Sequence, residues 1–579
     1  MQHLQAWAVL ASIGVLLVLL VHGRIGAAML FSTWAAGMHF AGLVTERELL
    51  GGYANPALMT LLLLLMVSLA LERSPIMGRL SAWVVRGGER TAVLRLSSFA
   101  CALSAFLNNT AVVAGLMGMV TRQSRIAPSK LLIPLSYASI VGGVVTLVGT
   151  STNLVVSSLA TGAGLPPIGM FDFTAVGLPV AVLCVLAMVW SSRWLPANEH
   201  ADAAGTSPYF LEAVVSQGSP LVGRSIEANG LRSLDGLFLL EIVRHGRLLS
   251  PVGPDEPIEA DDHLIFTGEV AKVQALQRFA GLQVFGDQAN ALLSSNLVEV
   301  VLAQQSDLVN KTLREVDFRN LFDAGVVGIR RGDRRLTGQL GRIELRVGDS
   351  LLLAAGPDFR QRKNLERNFH VLGNEPLRPA LTPPQNTLTL CGFAAVITLS
   401  ALEWVPLLAG LLLLLGLLLA ARILTSADLR RRFPFDLWLM IGSSLAIALA
   451  LEKSGAAALI ARGLSSALGD HGPLGALIGV YLLTWLLTEL ITNNAAAALA
   501  FPIGLAAARA YGVDPTPFVM VVAYAASAGF LVPFGYQTHL MVYSPGRYRT
   551  MDYLRAGWPV CVVYAVGVLT LVPLVFPFK

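Results

Sequence analysis

Charged residues are scarce in this chain. Only 14% of its 579 residues are Asp, Glu, Lys or Arg, whereas 54% are hydrophobic. A soluble domain usually carries about a quarter charged residues, so the composition excludes an ordinary soluble protein. The apolar residues lie in runs of roughly 17 to 22, which is long enough to cross a bilayer. The sequence therefore predicts a polytopic α-helical membrane protein.

Cysteine is equally sparse, and a basic N-terminal region is missing. The four cysteines are scattered through apolar segments without metal-like spacing, which indicates buried free thiols: Cys101, Cys184, Cys391 and Cys561. Met1–Leu4 contains no Lys or Arg, and more apolar runs follow the first one. We therefore expect a first transmembrane helix at the N-terminus and not a cleaved signal peptide.

Signs of catalysis and of nucleic-acid binding are also missing. The sequence shows no nucleophile–base pair and no cluster of transition-metal ligands, so we do not expect an enzyme. The formal net charge of +5 indicates no nucleic-acid partner, because the Lys and Arg residues gather in loops between apolar runs.

What the sequence does contain is a pair of adjacent asparagines that interrupts an apolar run twice. A second polar break follows each pair at nearly the same distance, with 44 residues from Asn108 to Thr152 and 45 from Asn493 to Thr538. The pairs and their breaks are Asn108-Asn109 with Gly149–Asn153, and Asn493-Asn494 with Gly535–His539. An unpaired amide costs several kcal/mol in hydrocarbon, so four such breaks are typical of the interrupted helices of a secondary transporter.

The apolar runs predict the same series of elements twice. Each series has three helices, an interfacial segment, a re-entrant hairpin with an Asn-Asn tip, a broken helix and a last helix. In the first half these are residues 5–22, 25–44, 53–71, 75–95, 96–121, 131–161 and 174–192. In the second half they are residues 387–403, 405–421, 435–451, 455–469, 473–511, 517–544 and 556–576. The segment 75–95 is assigned to the interface because it carries four arginines.

Five crossings per half predict an inverted repeat, since an odd number reverses the second half. Lys and Arg concentrate in alternate loops, and the loops 45–52, 162–173 and 512–517 hold only Arg47. Positively charged loops stay in the cytoplasm, which predicts an N-terminus outside an inner (plasma) membrane. The exceptions lie near the outer interface: Lys453, Arg462, Arg509 and Lys579.

A polar insert separates the halves and is expected to be cytoplasmic. Residues 197–385 show period-2 alternation and contain a repeat at an offset of 87 residues, in which 211–215 matches 298–302. The pattern predicts an α/β insert of two small β-rich modules. The expected domains are membrane half 1 (1–196), module 1 (205–285), module 2 (290–375) and membrane half 2 (386–579).

The tips and breaks offer helix N-termini, which favour anions, and neutral oxygens, which suit Na⁺. No Lys or Arg lies at a tip or break, so an anion would depend on dipoles, amide N–H groups and co-bound cations. The alternative is that the asparagines only join helices. Ser104 either faces the same site or bonds its own backbone. Glu489 is a candidate to ligate a cation, carry a proton or pair with a neighbour. Glu72 and Glu452 are expected to fix helix ends.

Four stretches resemble the divalent anion:sodium symporter family, and most of all its sulfate-transporter-like branch: Phe106–Thr110, Val148–Leu154, Ile491–Ala497 and Pro533–Tyr543. The resemblance covers nearly the whole chain. It implies a dimer whose transport domain moves by an elevator motion against a scaffold. The insert modules are similar to the RCK C-terminal domains of potassium-transport regulators, which by analogy implies a small regulatory ligand.

The same resemblance implies two sodium sites and an anion site between the tips. The first sodium site is formed by Ser104, Asn108, Asn109 and Gly149. The second is formed by Asn493, Asn494 and Gly535, with Glu489 as a further candidate. The anion site is formed by Asn109, Thr110, Thr152, Asn153, Asn494, Ala495, Gln537 and Thr538.

The sequence departs from the family pattern at four positions, three of them among these site residues. Asn108 and Asn493 replace Ser, Ala495 lacks a hydroxyl that dicarboxylate transporters use, and His539 stands where the branch has Asn. These changes bear on carboxylate specificity and on the second sodium site. His539 either adds pH dependence or is a neutral structural histidine.

We therefore expect a sodium-coupled symporter of an inorganic divalent anion, sulfate first, with Na⁺ as the co-transported ion. A dicarboxylate or another oxyanion such as thiosulfate is the alternative substrate. A membrane sensor of anion supply, whose insert signals while transport is lost, is the alternative of a different class.

Overall fold

The computed structural model describes the chain apart from residues 1, 23–24, 72, 74–87, 123–124, 199–208, 232–233, 235–236, 246, 250–251, 269–275, 277, 285–295, 304–305, 337–339, 356–358, 360–361, 363, 372–380 and 469–471. Two helical halves flank a β-rich insert. Glu72 and most of the segment 75–95, on which two of the sequence predictions fall, lie outside the described residues.

The first helical half contains nine described helices. They are α1 (Gln2–His22), α2 (Ala27–Phe40), α3 (Glu46–Tyr53), α4 (Pro56–Leu71), α5 (Glu89–Ser104), α6 (Asn109–Arg122), α7 (Pro128–Gly143), α8 (Ser151–Gly162) and α9 (Thr174–Ser191). The arms α5 and α6 form the first hairpin, and α7 and α8 are the two parts of the first broken helix.

The boundary between the expected interfacial segment 75–95 and the expected hairpin 96–121 differs in the structure. Helix α5 begins at Glu89, directly after an N-cap at Gly88, so residues 89–95 are the first turns of the hairpin arm. This arm has 16 residues instead of the shorter arm that the range 96–121 predicts. Arg90 and Arg95 lie in the first two turns of this helix, and charged residues there do not prevent a helix whose remainder is mostly apolar.

The second half repeats the order of elements. It contains α12 (Pro383–Ala401), α13 (Leu407–Ala420), α14 (Ser426–Arg432), α15 (Phe435–Lys453), α16 (Ala456–Leu468), α17 (Gly472–Leu490), α18 (Asn493–Tyr511), α19 (Thr516–Ala526), α20 (Gln537–Tyr543) and α21 (Thr550–Val575). Even the short helices α3 and α14 begin alike, because Thr45 with Glu48 and Thr425 with Asp428 both form capping boxes.

Helices of one half pack on helices of the other, and each such contact occurs a second time with the two halves interchanged. Helix α2 packs on α15 while α13 packs on α4, and α8 packs on α18 while α20 packs on α6. The last helices, α9 and α21, pack on each other. The broken helices thus lie at the centre, each against the hairpin of the other half.

Among the described residues, six helices are long and apolar enough to cross a membrane: Leu4–His22, Glu46–Leu71, Thr174–Trp194, Phe435–Lys453, Gly472–Leu490 and Thr550–Val575. Shorter apolar helices include Asn109–Thr121, Leu407–Ala420 and Thr516–Ala526. The protein is therefore a mostly helical, multi-pass membrane protein.

The insert contains two five-stranded antiparallel sheets with the same strand order. The first has β1 (Tyr209–Val215), β2 (Leu237–Arg244), β3 (Arg247–Leu249), β4 (His263–Gly268) and β5 (Leu282–Val284), in the order β3-β2-β4-β1-β5. The second has β6 (Asn296–Leu302), β7 (Ala324–Arg331), β8 (Arg334–Arg335), β9 (Ser350–Ala355) and β10 (Phe369–Val371), in the order β10-β6-β9-β7-β8. The short helices α10 (Phe318–Phe322) and α11 (Leu365–Asn368) accompany the second sheet.

A buried ion pair recurs in both sheets at the repeat distance of 87 residues. Arg244 binds Asp262 with both a 2.9 Å Nε and a 2.9 Å Nη2 contact, and Arg331 binds Asp349 with two contacts of 2.7 Å. Both carboxylates are fully buried, and a buried charge is stable only when it is paired in this way.

The second sheet also contacts the membrane part. Ser544, directly after α20, accepts a hydrogen bond from the Gly332 N–H (3.1 Å) and donates one to the Gly348 carbonyl (2.5 Å). Arg549 pairs with Asp333 at 2.8 Å. The insert therefore touches the chain where the second broken helix ends.

Candidate functional site

Each of the four polar interruptions ends at the start of a helix. Asn109 and Asn493 begin α6 and α18 at the hairpin tips, while Ser151 and Gln537 begin α8 and α20 after the breaks. Backbone N–H groups at such starts have no partner within their own helix and carry partial positive charge. The local sequence thus places four sets of N–H donors near the middle of the membrane part.

The first tip contacts the second break. Asn109 is 4% exposed, and its Oδ1 accepts a hydrogen bond from the Tyr536 hydroxyl at 2.8 Å. In this orientation its Nδ2 lies 2.7 Å from Ser104 Oγ, 3.0 Å from the Ser139 carbonyl and 3.2 Å from the Gly149 carbonyl. The hydroxyl of Thr110 donates to Gln537 Oε1 at 3.3 Å. Two consecutive tip residues therefore meet two consecutive break residues.

The second tip contacts the first break in the equivalent manner. The Oδ1 atom of Asn494 accepts from the hydroxyls of Ser151 at 3.2 Å and Thr152 at 3.5 Å. Ala495, which follows, is fully buried and offers no polar atom to this contact. Residues that are more than 340 positions apart in sequence thus come together in both contacts.

Oxygen atoms surround the first break closely. A methyl group added at Gly149 would lie 2.5 Å from the Gly143 carbonyl oxygen and 2.7 Å from that of Ser104. Asn108 caps its own tip, because its Oδ1 accepts from the Thr110 N–H at 2.9 Å. A void of about 10 Å³ lies beside Asn108 and Gly149, but most of the residues that line it are apolar. The carbonyl oxygens close to Gly149 itself are neutral ligands of the kind that suit an alkali cation.

The second break has a different set of groups. Thr488 donates to Asn493 Oδ1 (3.0 Å) and lies 2.6 Å from the Ala526 carbonyl. Glu489 Oε1 accepts from the Leu531 N–H at 3.1 Å. Among the described residues, Glu489 Oε2 and the buried Ser527 hydroxyl have no hydrogen-bond partner. Gly535 lies next to Glu489 Oε2, since a methyl group added there would be 3.3 Å away.

A carboxylate oxygen without a partner is costly away from water, and a bound cation or a proton would satisfy it. The residues at the second break therefore fit a cation, but with one formal negative charge that the first break lacks.

Two sequence-predicted anion residues lie away from the contact between tip and break. Asn153 is fully buried, and its Nδ2 donates to the Thr146 carbonyl at 2.8 Å within its own break. Thr538 is bound to the Ser136 hydroxyl at 2.9 Å. His539 joins Ser136 Oγ and the Gly529 carbonyl, each at 2.8 Å, which agrees with a structural role.

Sequence reasoning missed Tyr536 and Thr488. Tyr536 bonds Asn109 and lies 3.4 Å from the Thr150 hydroxyl. Its position matches Thr150 in the first break, which was a usable signal. Thr488 precedes Asn493 by five residues, just as Ser104 precedes Asn109, and that spacing was a signal as well.

A family model described as "Citrate transporter" matches residues 15–510 of the chain, which include both hairpin tips and the first broken helix. The chain belongs to this transporter family. The match confirms the family-level expectation of an anion transporter and agrees with the view that the protein is not an enzyme. The likeness of the insert to RCK C-terminal domains stays a prediction.

Several curated proteins are similar over long stretches. An uncharacterised transporter of Synechocystis sp. is 30% identical over 560 residues, covering 92% of this chain and 91% of its own length. A candidate sulfur deprivation response regulator of Chlamydomonas reinhardtii is 31% identical, covering 91% and 94%. Sodium/sulfate cotransporter 1 of the same alga is 32% identical over 378 residues, which cover 62% of this chain and 42% of the relative.

Proposed function

We propose that the protein is a sodium-coupled symporter of a divalent inorganic anion, with sulfate as the first substrate to test. The observation that carries this proposal is that each hairpin tip contacts the break of the other half. Asn109 and Thr110 meet Tyr536 and Gln537, while Asn494 meets Ser151 and Thr152. This arrangement gathers four helix N-termini in one place without a Lys or Arg.

An anion at this place needs compensation by cations. In a medium of low dielectric, the two negative charges of the anion are repelled by the nearby carbonyl oxygens and by the Glu489 carboxylate. An alkali cation on each side of the anion makes its net electrostatic interaction with the site attractive. The oxygens around Gly149 are proposed for the first sodium ion. Thr488, Asn493 and the free oxygen of Glu489 are proposed for the second.

The substrate proposal follows the relatives and the second tip. A relative named sodium/sulfate cotransporter 1 matches 62% of this chain. Ala495 has no hydroxyl, so the second tip offers one hydrogen-bond donor fewer. A flat carboxylate depends on donors in particular positions, whereas an oxyanion accepts hydrogen bonds from all sides and depends less on any one donor. A dicarboxylate or thiosulfate is the alternative, and the family description names citrate.

We further propose an elevator motion and an inverted repeat. The exchange of equivalent helix contacts, with α2 on α15 and α13 on α4, supports a twofold relation between the halves. An odd number of crossings per half then places the twofold axis in the membrane plane. The distribution of Lys and Arg supports an inner-membrane protein with its N-terminus outside and residues 197–385 in the cytoplasm. A homodimer and a small regulatory ligand on the insert complete the proposal.

The test is uptake of radiolabelled sulfate into proteoliposomes with an inward Na⁺ gradient, and with K⁺ in its place. We expect sodium-dependent uptake that Asn109→Ala and Asn494→Ala each abolish. Asn55→Ala is the matched control, because Asn55 is also a buried amide (8% exposed) but bonds the Ser158 carbonyl away from the tips. Uptake indifferent to Na⁺ contradicts sodium coupling. Entry of succinate, citrate or thiosulfate instead of sulfate contradicts the substrate.

One relative favours a second candidate function. The candidate sulfur deprivation response regulator matches this chain over 91% of its length, so a sensor of anion supply is compatible with the same fold. A sensor binds the anion without moving it. Sulfate binding to the purified protein without any uptake into proteoliposomes would favour the sensor over the symporter.

A further inference from the structure

Two tight turns of the second sheet contact the membrane part at the end of α20. Gly332 lies in the turn between β7 and β8, and Gly348 lies just before β9. Both glycines are buried and have positive φ angles, of 58° and 82°. Their backbone groups bond the hydroxyl of Ser544, which is fully buried directly after α20. One hydroxyl thus joins two turns of the insert to a membrane helix, and these bonds are called the docking contact below.

The docking contact leaves no room for a side chain at either turn. A methyl group added at Gly332 would lie 2.7 Å from the Tyr543 ring and 3.0 Å from the Tyr548 carbonyl oxygen. One added at Gly348 would lie 3.1 Å from the Leu540 carbonyl oxygen. Leu540 and Tyr543 belong to α20 itself. The close approach of the two turns to α20 therefore depends on the absence of a Cβ atom at both positions.

The first sheet shows that the fold of a module does not itself need these glycines. At the repeat distance of 87 residues, His245 and Asp261 stand at the positions of Gly332 and Gly348. Both have positive φ angles as well, of 49° and 65°, and both are exposed. His and Asp are enriched in this conformation among residues other than Gly. The turns accept side chains where nothing docks, so the contact with α20 accounts for the two glycines better than the backbone conformation does.

Helix α20 connects the docking contact to the candidate site. It has seven residues, so its two ends lie about 10 Å apart. At its start, Gln537 accepts a hydrogen bond from the Thr110 hydroxyl at 3.3 Å. Tyr536, directly before it, bonds Asn109 at 2.8 Å. A displacement of one end of so short a helix also displaces the other, so the position of Ser544 bears on the contact between the second break and the first tip.

We propose that the second module of the insert is a positioning element of the transport site. Its two turns hold Ser544 and thereby fix α20 where Tyr536 and Gln537 meet the first tip. The part of this inference that concerns the anion rests on the proposed function. The first module cannot take the same place, because the side chains of His245 and Asp261 exclude so close an approach. The insert is then a support of the site and not a passive cover.

The test gives the second module the turn residues of the first. Gly332→His and Gly348→Asp introduce residues that the equivalent turns already accept, so each variant should keep its sheet and lose the docking contact. His245→Gly and Asp261→Gly are the matched controls, since they make the reverse exchange at exposed turns.

The first measurement is hydrogen–deuterium exchange of backbone amides in the purified full-length protein, without any anion. The N–H of residue 332 donates to Ser544, so its own peptide reports whether the docking contact is lost. In the two variants, peptides from residues 530–543 should exchange at least about 10-fold faster than in the native protein. Strand β6 and helix α8, which is the equivalent of α20 in the first half, should keep their native rates. Both controls should exchange like the native protein in residues 530–543.

The second measurement is equilibrium binding of radiolabelled sulfate in NaCl. We expect the dissociation constant to rise by at least about 5-fold in Gly332→His and Gly348→Asp, and to stay native in the controls. A merely structural role would act differently. It would lower the amount of sulfate bound per protein and leave the dissociation constant unchanged, because the folded fraction would bind normally.

Native exchange of residues 530–543 in both variants would overturn the inference, because α20 would then be held by its bonds to Ser136 alone. Retained protection at residue 332 would overturn it as well, since the docking contact would then accommodate a side chain. Faster exchange with a native dissociation constant for sulfate would separate the docking contact from the site and also contradict the inference. If native protein binds no sulfate, the substrate of the proposed function fails, while the exchange measurement still decides whether the insert positions α20.

Discussion

The two breaks occupy equivalent places in the halves but differ in their chemistry. The first runs from Gly143 to Ser151 and is surrounded by neutral oxygens. The second runs from Ala526 to Gln537, is longer, contains Tyr536 and lies beside the Glu489 carboxylate. The oxygens close to Gly149 in the first break therefore belong to the backbone and are uncharged, whereas the second break has a carboxylate and a phenol hydroxyl.

This difference separates two kinds of cation ligand. Backbone carbonyl oxygens carry no proton that they could exchange, whereas a carboxylate and a phenol each have one. The two halves have the same order of elements but different side chains, so substitutions at equivalent positions test what each set of groups contributes.

The largest effect is expected from Gly149→Ala. The added methyl group would lie 2.5 Å and 2.7 Å from two carbonyl oxygens, and neither belongs to a flexible side chain. The backbone must move, and a displacement of about 1 Å at a binding centre can cost 100-fold. We expect sodium-dependent uptake to fall by about 100-fold or more, measured as initial rates in proteoliposomes.

Gly535→Ala is the equivalent change in the second half and serves as the control. Its methyl group would meet the Glu489 carboxylate and a Val532 methyl group, each at 3.3 Å, and both belong to side chains that can shift. The loss should be less than about 10-fold, because side chains adjust at low cost. Equal losses in the two variants would contradict the view that close backbone oxygens constrain the first break more than the second.

The next effect concerns the charge that the second break has and the first lacks. Glu489→Gln keeps an oxygen for the Leu531 N–H but removes the negative charge. We expect the Na⁺ concentration for half-maximal uptake to rise by about 10-fold, which corresponds to about 1.4 kcal/mol, and the apparent number of coupled ions to fall. Glu452→Gln is the control, because Glu452 pairs with Arg509 at a helix end. Unchanged Na⁺ activation together with a lost pH dependence would assign a proton to Glu489.

The sequence predicted the tips and breaks because polar residues inside apolar runs have a direct physical cost. The contact of each tip with the break of the other half did not follow from the spacing, which indicated only that the two halves repeat the same elements. Sequence reasoning missed Tyr536, since a tyrosine in an apolar stretch is read as packing and its partner Asn109 lies 427 residues away. It also placed the start of the first hairpin arm at residue 96 instead of Glu89, because charge content alone does not fix where a helix begins.

The contact of the insert with the second broken helix was likewise beyond the sequence. Ser544, Gly332 and Gly348 carry no pattern that indicates docking, and the contact depends on two backbone groups meeting one hydroxyl. Backbone contacts of this kind arise from the arrangement of whole elements. The paired Arg and Asp residues of the two sheets, in contrast, follow directly from the repeat at 87 residues.

A smaller effect, on the stability of the protein, is expected from equivalent serines in the second parts of the two broken helices. Ser544→Ala leaves a buried N–H of Gly332 and the Gly348 carbonyl without their partner, which should destabilise the protein by about 1 to 3 kcal/mol. Ser158 is the equivalent residue of the first half, and among the described residues its hydroxyl has no partner. Ser158→Ala should stay within about 0.5 kcal/mol of the native protein.

The measurement is the melting temperature of the detergent-purified protein. We expect Ser544→Ala to melt below the native protein and Ser158→Ala to melt with it. The same order should appear when cleavage of the insert by a protease is followed, because the insert loses a contact only in the first variant. A melting temperature of Ser544→Ala equal to that of Ser158→Ala would mean that the insert contact contributes nothing measurable.

The smallest effect is expected in the pH dependence of stability, at equivalent positions of the two sheets in the insert. Glu212 of the first sheet bonds His263 Nδ1 at 2.5 Å and also accepts from the Leu340 N–H, whereas Glu299 of the second sheet bonds Ser350 at the position equivalent to His263. The hydrogen bond with Glu212 raises the pKa of His263 above its ordinary value. The Glu212–His263 pair should therefore respond to pH near neutrality, whereas the equivalent Glu299–Ser350 pair has no group that titrates there.

The sign follows from the raised pKa of His263. Its contribution to stability is fully present below the unfolded-state pKa and is lost as the pH rises through the higher folded-state pKa. A partly exposed ion pair contributes at most about 1 kcal/mol, so the melting temperature should fall only slightly between pH 6 and pH 8. His263→Ser copies the second sheet and should remove this slope, while Ser350→Ala should leave it intact. A slope that survives His263→Ser would place the titrating group elsewhere in the protein.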